Sequence, residues 1–340
     1  MSGRSDAAVD PTQRLTPVVR LAPAKLNLSL AVIGRRPDGY HELHSVMAPL
    51  ELADRLSLAP AAGGVDTLHV AGFDAGPLTA NLVLRALAAT REAVGAGWAG
   101  SGGPPPALAA RLDKRIPVAA GLAGGSSDAA AAIDGALEAW GASLTIHERL
   151  RVAARLGSDV PFFLAGGVAV VEGSGERVSP LRGVTGEPPG VLLITPPLAL
   201  STAAVFAAFD AGAPGLGGAT RTSSSHLAEE LRTGLTAAAL MDRAGVLAVA
   251  NDLAPAAAAV EPGLVALRRA LIRRLGRPIG QSGSGPTLWV LYPSRAAAED
   301  AADQLRAAVA EGAVPIPGTG QPSIVATAIA VRTKPDRSDR

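Results

Sequence analysis

The stretch of sequence that decides the fold is IPVAAGLAGGSSDAAAA, residues 116–132, in which glycines and alanines lead through a Ser-Ser pair into an alanine-rich segment. Small residues let the backbone approach an anion closely. The free N–H groups and the positive dipole end of a helix that begins near Ser126 would stabilise negative charge there. The stretch therefore predicts a phosphate-binding loop. The alternative is a glycine-rich turn that only caps a core helix.

This loop differs from the common nucleotide-binding loop. The G-x-x-x-x-G-K-[ST] pattern needs a lysine next to the serine. No lysine lies between Lys114 and the end of the alanine-rich segment. A lysine that serves the phosphates must therefore come from elsewhere in the chain.

The composition indicates a globular protein with a small-molecule partner. Of the 340 residues, 48% are hydrophobic and 18% are charged, and the formal net charge is +1. A balance so close to neutral argues against nucleic acid or an anionic membrane as the main partner. Cysteine is absent, so disulfides, a thiolate nucleophile and a cysteine-based metal site are excluded, which fits a cytoplasmic enzyme.

The length allows two domains, each with its own core. A shift to glycine, proline and threonine near residues 183–190 indicates the junction between them. We expect a flexible N-terminal extension over residues 1–16, an N-terminal domain over 17–183, a C-terminal domain over 190–332 and a flexible tail over 333–340.

Strands and helices alternate along the chain, which favours an α+β sandwich. The opening is predicted to be antiparallel, with VVRLAPAKLNLSLAVI, HSVMAPLEL and DRLSLAP as short segments. Residues 211–224 have low complexity and are predicted to form a mobile loop. Further predictions are strands over residues 107–115, 191–195, 287–292 and 323–331, a hairpin over 168–181, helices over 79–94, 127–140, 146–156 and 294–311, helices near Thr202, Ser225, Gly245 and Gly263, and a helix at SDVPFFL with Ser158 as its N-cap.

Several local patterns do not carry a function. Residues 95–100 match G-x-G-x-x-G, but they follow a predicted helix instead of the strand that a dinucleotide fold requires. HELH at residues 41–44 is one residue short of the H-E-x-x-H zinc motif, and no G-x-S-x-G elbow occurs. Prolines interrupt the charge-free runs 188–209 and 312–331, so both are interpreted as strands and loops and not as membrane spans.

Four segments taken together resemble the GHMP kinase superfamily, whose small-molecule kinases use a glycine-rich loop unlike the Walker loop. They are PAKLNLSL, GLAGGSSDAAAA, GSDVPFFL and SGSGPTLW, and the resemblance covers residues 21–331. It implies an N-terminal ATP domain of ribosomal-protein-S5-like type and a ferredoxin-like C-terminal domain, with the site between them. The loop departs from the superfamily at Val118, Ala119 and Ala120, where glycine is common. Alanine replaces glycine only where φ is negative, so this departure bears on the geometry of the loop's opening.

The first segment followed by GRRPDGYHELHSV, residues 34–46, resembles the branch of the superfamily that acts on a cytidine-diphosphate-linked methylerythritol. The resemblance implies that ATP, with Mg²⁺, phosphorylates the tertiary 2-hydroxyl group of that compound in the non-mevalonate isoprenoid pathway. The expected partners are therefore this small molecule and ATP, with no nucleic acid and no membrane. We expect a monomer or a homodimer.

Three polar residues match the catalytic part of the superfamily pattern. Asp159 begins a predicted helix, where an aspartate alone would suggest a helix-dipole complement; the resemblance makes it the carboxylate that receives or orients the hydroxyl proton. Lys25 lies in an apolar stretch, where a solvated edge charge is the ordinary explanation; the resemblance makes it the partner of Asp159. Asn27 falls on the same strand face as Lys25 and resembles a substrate-orienting asparagine, with a satisfied core amide as the alternative.

Aromatic residues match the part that recognises cytosine. Tyr40 and His41 follow an Asp-Gly turn, whose chemistry alone would explain an exposed aromatic residue and histidine. The resemblance assigns the cytosine ring to the face of Tyr40, a directional hydrogen bond to His41 and a second stacking face to Phe206. Phe206 could equally be an apolar position on the helix after Thr202.

The resemblance assigns ATP to the loop and to a nearby helix start. Ser126 and Ser127 could donate hydroxyl groups to phosphate or Mg²⁺, or they could cap the helix. Helix capping would also explain Asn81. Gly283, Ser284 and Gly285 are expected to approach the substrate or the loop, with a tight strand-entry turn as the alternative. The full set assigned to ATP is Pro117, Val118, Ala119, Ala120, Gly121, Leu122, Ala123, Gly124, Gly125, Ser126, Ser127 and Asn81.

Three other functions stay open at this point. A GHMP kinase that acts on mevalonate or homoserine is disfavoured by DGYHEL, because neither substrate carries a base. A non-catalytic sensor of nucleotide or metabolite is disfavoured by intact Lys25, Asp159 and loop. A nucleic-acid module is disfavoured by the net charge and by an aromatic content of 3%.

Overall fold

The computed structural model describes residues 17–95, 98, 103–212 and 218–330. The predicted extension over residues 1–16 and tail over 333–340 therefore lie outside the described residues, as does most of the glycine motif at 95–100.

The first sheet is built around two long antiparallel strands, β1 (Val18–Arg35) and β2 (His41–Pro60). The prediction of separate short segments after the first turn is wrong, because β2 runs unbroken through both of them. The remaining strands of this sheet are β3 (Thr67–Gly72), β4 (Leu108–Lys114), β5 (Ala169–Gly173) and β6 (Arg177–Pro180). One end of β2 pairs with β5 and the other end pairs with β4, so β2 connects two parts of the sheet. The strand order is β3-β4-β2-β5-β6, with β1 paired along β2.

Four α-helices accompany this sheet: α1 (Leu82–Val94), α2 (Gly124–Trp140), α3 (Ile146–Leu156) and α4 (Val160–Ala165), and a short 3-10 helix, Leu78–Ala80, precedes α1. The predicted start of α2 is three residues too late, since the helix already begins at Gly124. The predicted N-cap Ser158 is also wrong, because Asp159 occupies that position and its side chain caps nothing. Apolar side chains of β1, β2, β4, α1, α2 and α3 share one core.

The second sheet consists of β8 (Gly190–Thr195), β10 (Gly280–Gln281), β11 (Leu288–Tyr292) and β12 (Ser323–Ala328). It is fully antiparallel, with the strand order β10-β11-β8-β12. Helices α10 (Gly263–Leu275) and α11 (Arg295–Ala310) contribute leucines and alanines to its core.

The segment between β8 and α10 is mostly helical. Part of the predicted loop over 211–224 is wrong, because residues from Gly218 onward belong to α6, whose Leu227 and Leu231 are buried against the first sheet. Residues 213–217 lie outside the described part. Its elements are α5 (Thr202–Ala211), α6 (Gly218–Thr233), β9 (Leu235–Thr236), α7 (Ala237–Asp242), α8 (Ala244–Leu247) and α9 (Ala254–Val260). Strand β9 pairs in parallel with β7 (Val184–Thr185), which precedes β8 in the chain.

The two sheets share a buried cluster to which Leu26 and Leu28 of β1 and Leu193 and Trp289 of the second sheet all contribute. This cluster holds the two halves together beside the glycine-rich loop. None of the helices in the described residues is long and apolar enough to span a bilayer.

Candidate active site

A cleft of about 1010 Å³ lies between the glycine-rich loop and residues of the second half of the chain. It brings together residues from the two ends of the sequence, and nearly all of the predicted site residues line it. The exceptions are Leu122 and Ser127, which are buried beneath the loop. The predicted residues in the lining are Lys25, Asn27, Tyr40, His41, Asn81, Pro117, Val118, Ala119, Ala120, Gly121, Ala123, Gly124, Gly125, Ser126, Asp159, Phe206, Gly283 and Ser284.

The loop enters α2 through two alanines in left-handed backbone conformation. Ala119 has a φ of 56° and Ala123, the N-cap of α2, has a φ of 54°. The premise that alanine replaces glycine only at negative φ is therefore wrong at Ala119, and a side chain there costs roughly 1–2 kcal/mol. No side chain caps α2, so capping does not account for Ser126 and Ser127.

The turn at residues 282–285 packs directly against this loop, so its predicted approach is confirmed. A Cβ atom on Gly121 would lie 2.3 Å from the Ser282 carbonyl oxygen and 2.8 Å from the Gly285 Cα atom. The Ser282 hydroxyl donates a hydrogen bond of 3.0 Å to the Gly121 carbonyl oxygen. Glycine at 121 and 285 is required because the two backbones touch.

Lys25 and Asn27 form a buried polar pair at the base of the cleft. The Lys25 ammonium donates to Asn27 Oδ1 at 2.5 Å and to the Gly121 carbonyl oxygen at 2.9 Å. Their predicted placement on one strand face is thus confirmed. Burial lowers the pKa of Lys25, and the negative charge of Asp159 opposes this shift. Gly283 lets the turn close over the pair, since a Cβ atom there would lie 3.1 Å from Asn27 Oδ1.

Asp159 lies at the junction of α3 and α4, where its side chain is half-buried and lines the cleft. It makes no hydrogen bond and no ion pair with the residues that the structure describes, and it does not cap α4. Its carboxylate acts on Lys25 through space. A capping role therefore does not explain this residue, and the carboxylate is free to meet a bound molecule.

The far end of the cleft holds His41 and Phe206. Their rings stack with centroids 4.6 Å apart and an angle of 22° between the ring planes. Tyr40, on the turn before β2, is 62% exposed and lines the same part of the cleft. Phe206 lies on α5, lines the cleft and packs partly against a core cluster, so its apolar position on the helix is confirmed and its stacking on a base stays a prediction.

At the same end of the cleft, Asp210 is a candidate site residue that the sequence analysis missed. Its Oδ1 atom lies 2.8 Å from His41 Nε2, across 169 positions of sequence. A neutral His41 ring that donates from Nε2 keeps Nδ1 as an acceptor. Only the packing of α5 against β1 and β2 brings the two side chains together.

A second missed group lies under the loop. The buried Lys114 ammonium contacts Asp54 Oδ2 at 2.5 Å and Asp128 Oδ2 at 2.8 Å. Asp54 also accepts hydrogen bonds from the backbone of Arg115 and Ile116. Burial raises the pKa of Asp128 to about 7, with Lys114 opposing the shift and Asp54 adding to it. The spacing of Lys114 and Asp128 around the loop is the only sequence signal for this group.

Asn81 accepts a hydrogen bond from the Val83 backbone at 2.9 Å, so the capping explanation of this residue is confirmed, although it also lines the cleft. Within the described ranges, no group of three or more histidine, aspartate or glutamate side chains could hold a metal ion. An ion bound here would need oxygen atoms from the bound nucleotide.

The chain matches two protein-domain families. They are the GHMP kinases N terminal domain, over residues 81–167, and GHMP kinases C terminal, over residues 227–311. A homoserine kinase structure from Cytophaga hutchinsonii shares the fold at 17% identity, with a TM-score of 0.67 over 96% of this chain and 98% of that one. Fold and site together therefore define a small-molecule kinase of the GHMP class, which uses ATP.

Similarity to particular relatives is closer. The 4-diphosphocytidyl-2-C-methyl-D-erythritol kinase of Pelotomaculum thermopropionicum is 38% identical over 85% of this chain and 94% of its own length. That of Streptomyces coelicolor is 39% identical over 84% and 91%. A crystal structure of 4-(cytidine 5'-diphospho)-2C-methyl-D-erythritol kinase is 33% identical, with a TM-score of 0.65 over 91% of this chain and 99% of that one. The chain belongs to the 4-diphosphocytidyl-2-C-methyl-D-erythritol kinase family.

Proposed function

We propose that this protein transfers the γ-phosphoryl group of ATP to the 2-hydroxyl group of 4-diphosphocytidyl-2-C-methyl-D-erythritol, in the non-mevalonate route to isoprenoid precursors. One observation carries the proposal. The buried Lys25–Asn27 pair lies in one cleft with the Asp159 carboxylate, which has no partner among the described residues, between the glycine-rich loop and the His41–Phe206 stack. The phosphates of ATP would lie at the end of the cleft formed by the glycine-rich loop. The cytosine base of the acceptor would lie at the end formed by the His41–Phe206 stack.

Phosphoryl transfer depends on positioning and on neutralising charge more than on covalent chemistry by the protein. The amino end of α2 and the loop N–H groups would hold the phosphates of ATP. The Lys25 ammonium would stabilise charge on the transferred group and on the acceptor oxygen. Asp159 would receive or orient the proton of the 2-hydroxyl group.

We propose Mg²⁺ as the partner of ATP. Ser127 Oγ is buried beside the loop without a hydrogen-bond partner in the structure, and Ser126 lines the cleft. The Ser126 hydroxyl, which faces the cleft, fits an ion held mainly by the phosphates, since Mg²⁺ usually takes few protein ligands and several waters. The buried Ser127 hydroxyl would reach such an ion only if the loop moved on binding ATP. When bound, the ion supplies neutralisation of phosphate charge.

At the other end, Tyr40 and the His41–Phe206 stack would hold the cytosine ring. Every nucleobase has a π-face that an aromatic side chain can stack on. His41 Nδ1 would accept a hydrogen bond from the exocyclic amine of cytosine, because its Nε2 atom is already engaged with Asp210. Gly283 and Ser284 would contact the part of the acceptor nearest the loop.

The test is a coupled assay of ADP formation with Mg²⁺ and ATP. The acceptors are 4-diphosphocytidyl-2-C-methyl-D-erythritol, mevalonate and homoserine, beside a reaction without acceptor. We expect turnover with the cytidyl compound alone. Turnover with mevalonate or homoserine would discard the base-recognition argument, and ATP binding without turnover on any acceptor would favour a sensor.

The proposal also includes the organisation of the chain. We propose residues 17–183 and 190–332 as the two domains and a monomer or homodimer as the assembly, working in the cytoplasm. Light scattering of the purified protein measures the assembly, and limited proteolysis near residues 183–190 tests the junction.

A further inference from the structure

The orientation of the Asn27 amide is determined by its neighbours. The Lys25 ammonium can only donate, so the atom 2.5 Å away must be the amide oxygen. The amide nitrogen then points to the other side, where it donates to Ser45 Oγ at 2.9 Å. Asn27 is 2% exposed, so water cannot replace either partner.

The Ser45 hydroxyl is itself oriented. It donates to the Ser29 carbonyl oxygen at 2.6 Å, which leaves its lone pair for Asn27. This contact lies where the pairing of β1 with β2 shifts register between Asn27 and Ser29. A register shift interrupts the ladder of backbone hydrogen bonds, and the Ser45 side chain supplies a donor in that gap. Ser45 is fully buried and does not line the cleft.

From this chain of contacts we propose that Ser45 is a positioning residue of the phosphoryl transfer, which holds the Asn27 amide oxygen toward Lys25. The inference rests on the proposed function. Ser45 touches neither ATP nor the acceptor in this view. It acts on Lys25 through Asn27, and it ensures that the ammonium meets an acceptor and not a second donor.

Removal of the Ser45 hydroxyl would leave the Asn27 NH₂ group buried without a partner, which is costly. A half-turn of the amide would relieve that group but would place the NH₂ against the Lys25 ammonium, donor against donor. The half-turn displaces the ammonium from its place between Asn27 and Gly121, and an unturned amide that is held only by Lys25 no longer fixes that place. We therefore expect S45A to lower kcat about tenfold to a hundredfold and to leave the KM for ATP within about twofold, since the loop backbone is unchanged.

The chain offers a matched control in Ser224 on α6. It is as fully buried as Ser45, and its hydroxyl lies 2.7 Å from Ser29 Oγ and 2.9 Å from His44 Nδ1. It belongs to a neighbouring group of side chains but does not touch Asn27. S224A removes a buried hydroxyl from the same region and should leave kcat within about twofold of the wild type. S45T keeps a hydroxyl and should restore most of the activity.

A second readout separates positioning from a loss of packing. The charged form of Lys25 is stabilised by Asn27 Oδ1, and Asp159 is the charged side chain that acts on it. Losing the amide oxygen disfavours that form and lowers the pKa of Lys25 further. The alkaline limb of the kcat profile should thus move to lower pH in S45A, and it should stay in place in S224A.

The experiment compares the wild type, S45A, S45T and S224A. For each protein it measures kcat, the KM values for ATP and for the cytidyl substrate, the pH profile of kcat and the Tm. The Lys25 side chain is also titrated by NMR, and K25R serves to assign its signal. Equal losses in S45A and S224A, or an unmoved Lys25 titration in S45A, would overturn the proposal. If S45A does not fold, S45C takes its place under the same criteria. A wild type that fails to turn over the cytidyl substrate refutes the proposed function, and the NMR titration still tests Ser45.

Discussion

Lys25 and Asp159 line the same cleft without forming an ion pair. The ammonium is hydrogen-bonded to Asn27 and to the Gly121 backbone, and the carboxylate reaches it only through space. A direct ion pair would occupy both groups. The absence of this ion pair leaves the Asp159 oxygens free for an acceptor hydroxyl group, while the negative charge of Asp159 opposes the lowering of the Lys25 pKa by burial.

D159N should keep ATP binding and lose most turnover. The amide cannot accept the hydroxyl proton, and a positioned general base contributes about 10²–10⁴ in rate. Steady-state kcat and ATP binding by calorimetry measure the two effects. D300N, on the exposed face of α11, serves as the control and should behave as the wild type. An unchanged kcat in D159N would remove Asp159 from the mechanism.

Y40A should raise the KM for the cytidyl substrate and leave the KM for ATP unchanged. Stacking of a base on an aromatic ring is worth about 1–3 kcal/mol, so we expect an increase of roughly 5- to 150-fold. Y40F keeps the ring and should behave as the wild type. If the KM values for both substrates rise equally, Tyr40 has a structural role only.

D210N should weaken binding of the acceptor without affecting ATP. The carboxylate accepts from His41 Nε2 at 2.8 Å, and its loss allows the ring to turn or to change tautomer. Because Asp210 is 38% exposed, the effect is expected to be small, about tenfold or less in the KM of the cytidyl substrate. D242N on α7, whose side chain is exposed, is the control. A KM in D210N equal to that of the wild type would contradict the role of Asp210.

G121A should lose about 10²-fold in kcat/KM, since a methyl group would force the loop away from the turn by more than an ångström. The added Cβ atom would lie 2.3 Å from the Ser282 carbonyl oxygen. Gly141 gives a matched control, because it also has positive φ, 60°, but meets nothing within 4 Å. G141A should lower the Tm slightly and keep full activity. Equal activity of the two variants would show that the loop tolerates displacement.

The stability that Asp128 contributes should depend on pH. Burial raises its pKa to about 7 in the folded protein, from the 3.8 of a free aspartate side chain. Between these two pH values the folded state therefore holds a proton that the unfolded state releases. This contribution is present at low pH and is lost as the pH rises toward 7. The Tm of the wild type relative to D128N, which cannot ionise, should therefore be higher at pH 5 than at pH 8. A difference in Tm that is equal at both pH values would mean that Asp128 is ionised throughout.

Features that depend on nearby residues could be predicted from the sequence. The loop and α2 follow from a run of small residues that ends in helix-forming alanines. Lys25 and Asn27 share a face because side chains alternate along a strand. The chemistry of Asp159 depended on family resemblance, because its position at a helix start fits a simple dipole role equally well.

Errors arose where distant contacts override local pattern. The continuous β2 is set by its pairing with β1, β4 and β5 at different points of its length. Residues 218–224 are helical because α6 buries its apolar side chains against the first sheet. A Gly, Ala, Ser and Thr composition carries no signal for that burial.

The sequence by itself determined the phosphate loop and the strand face of Lys25 and Asn27, because each depends on residues close together in the chain. It also determined the class of kinase, because four short segments, each readable on its own, occur together in one chain. Only the tertiary structure decided which side chains meet: Asp210 with His41, Asp54 with Lys114, and Ser45 with Asn27. These pairs depend on strand register, on a register shift next to Ser29 and on the docking of α5. The free energy that selects such packing comes from the whole core and not from any one segment.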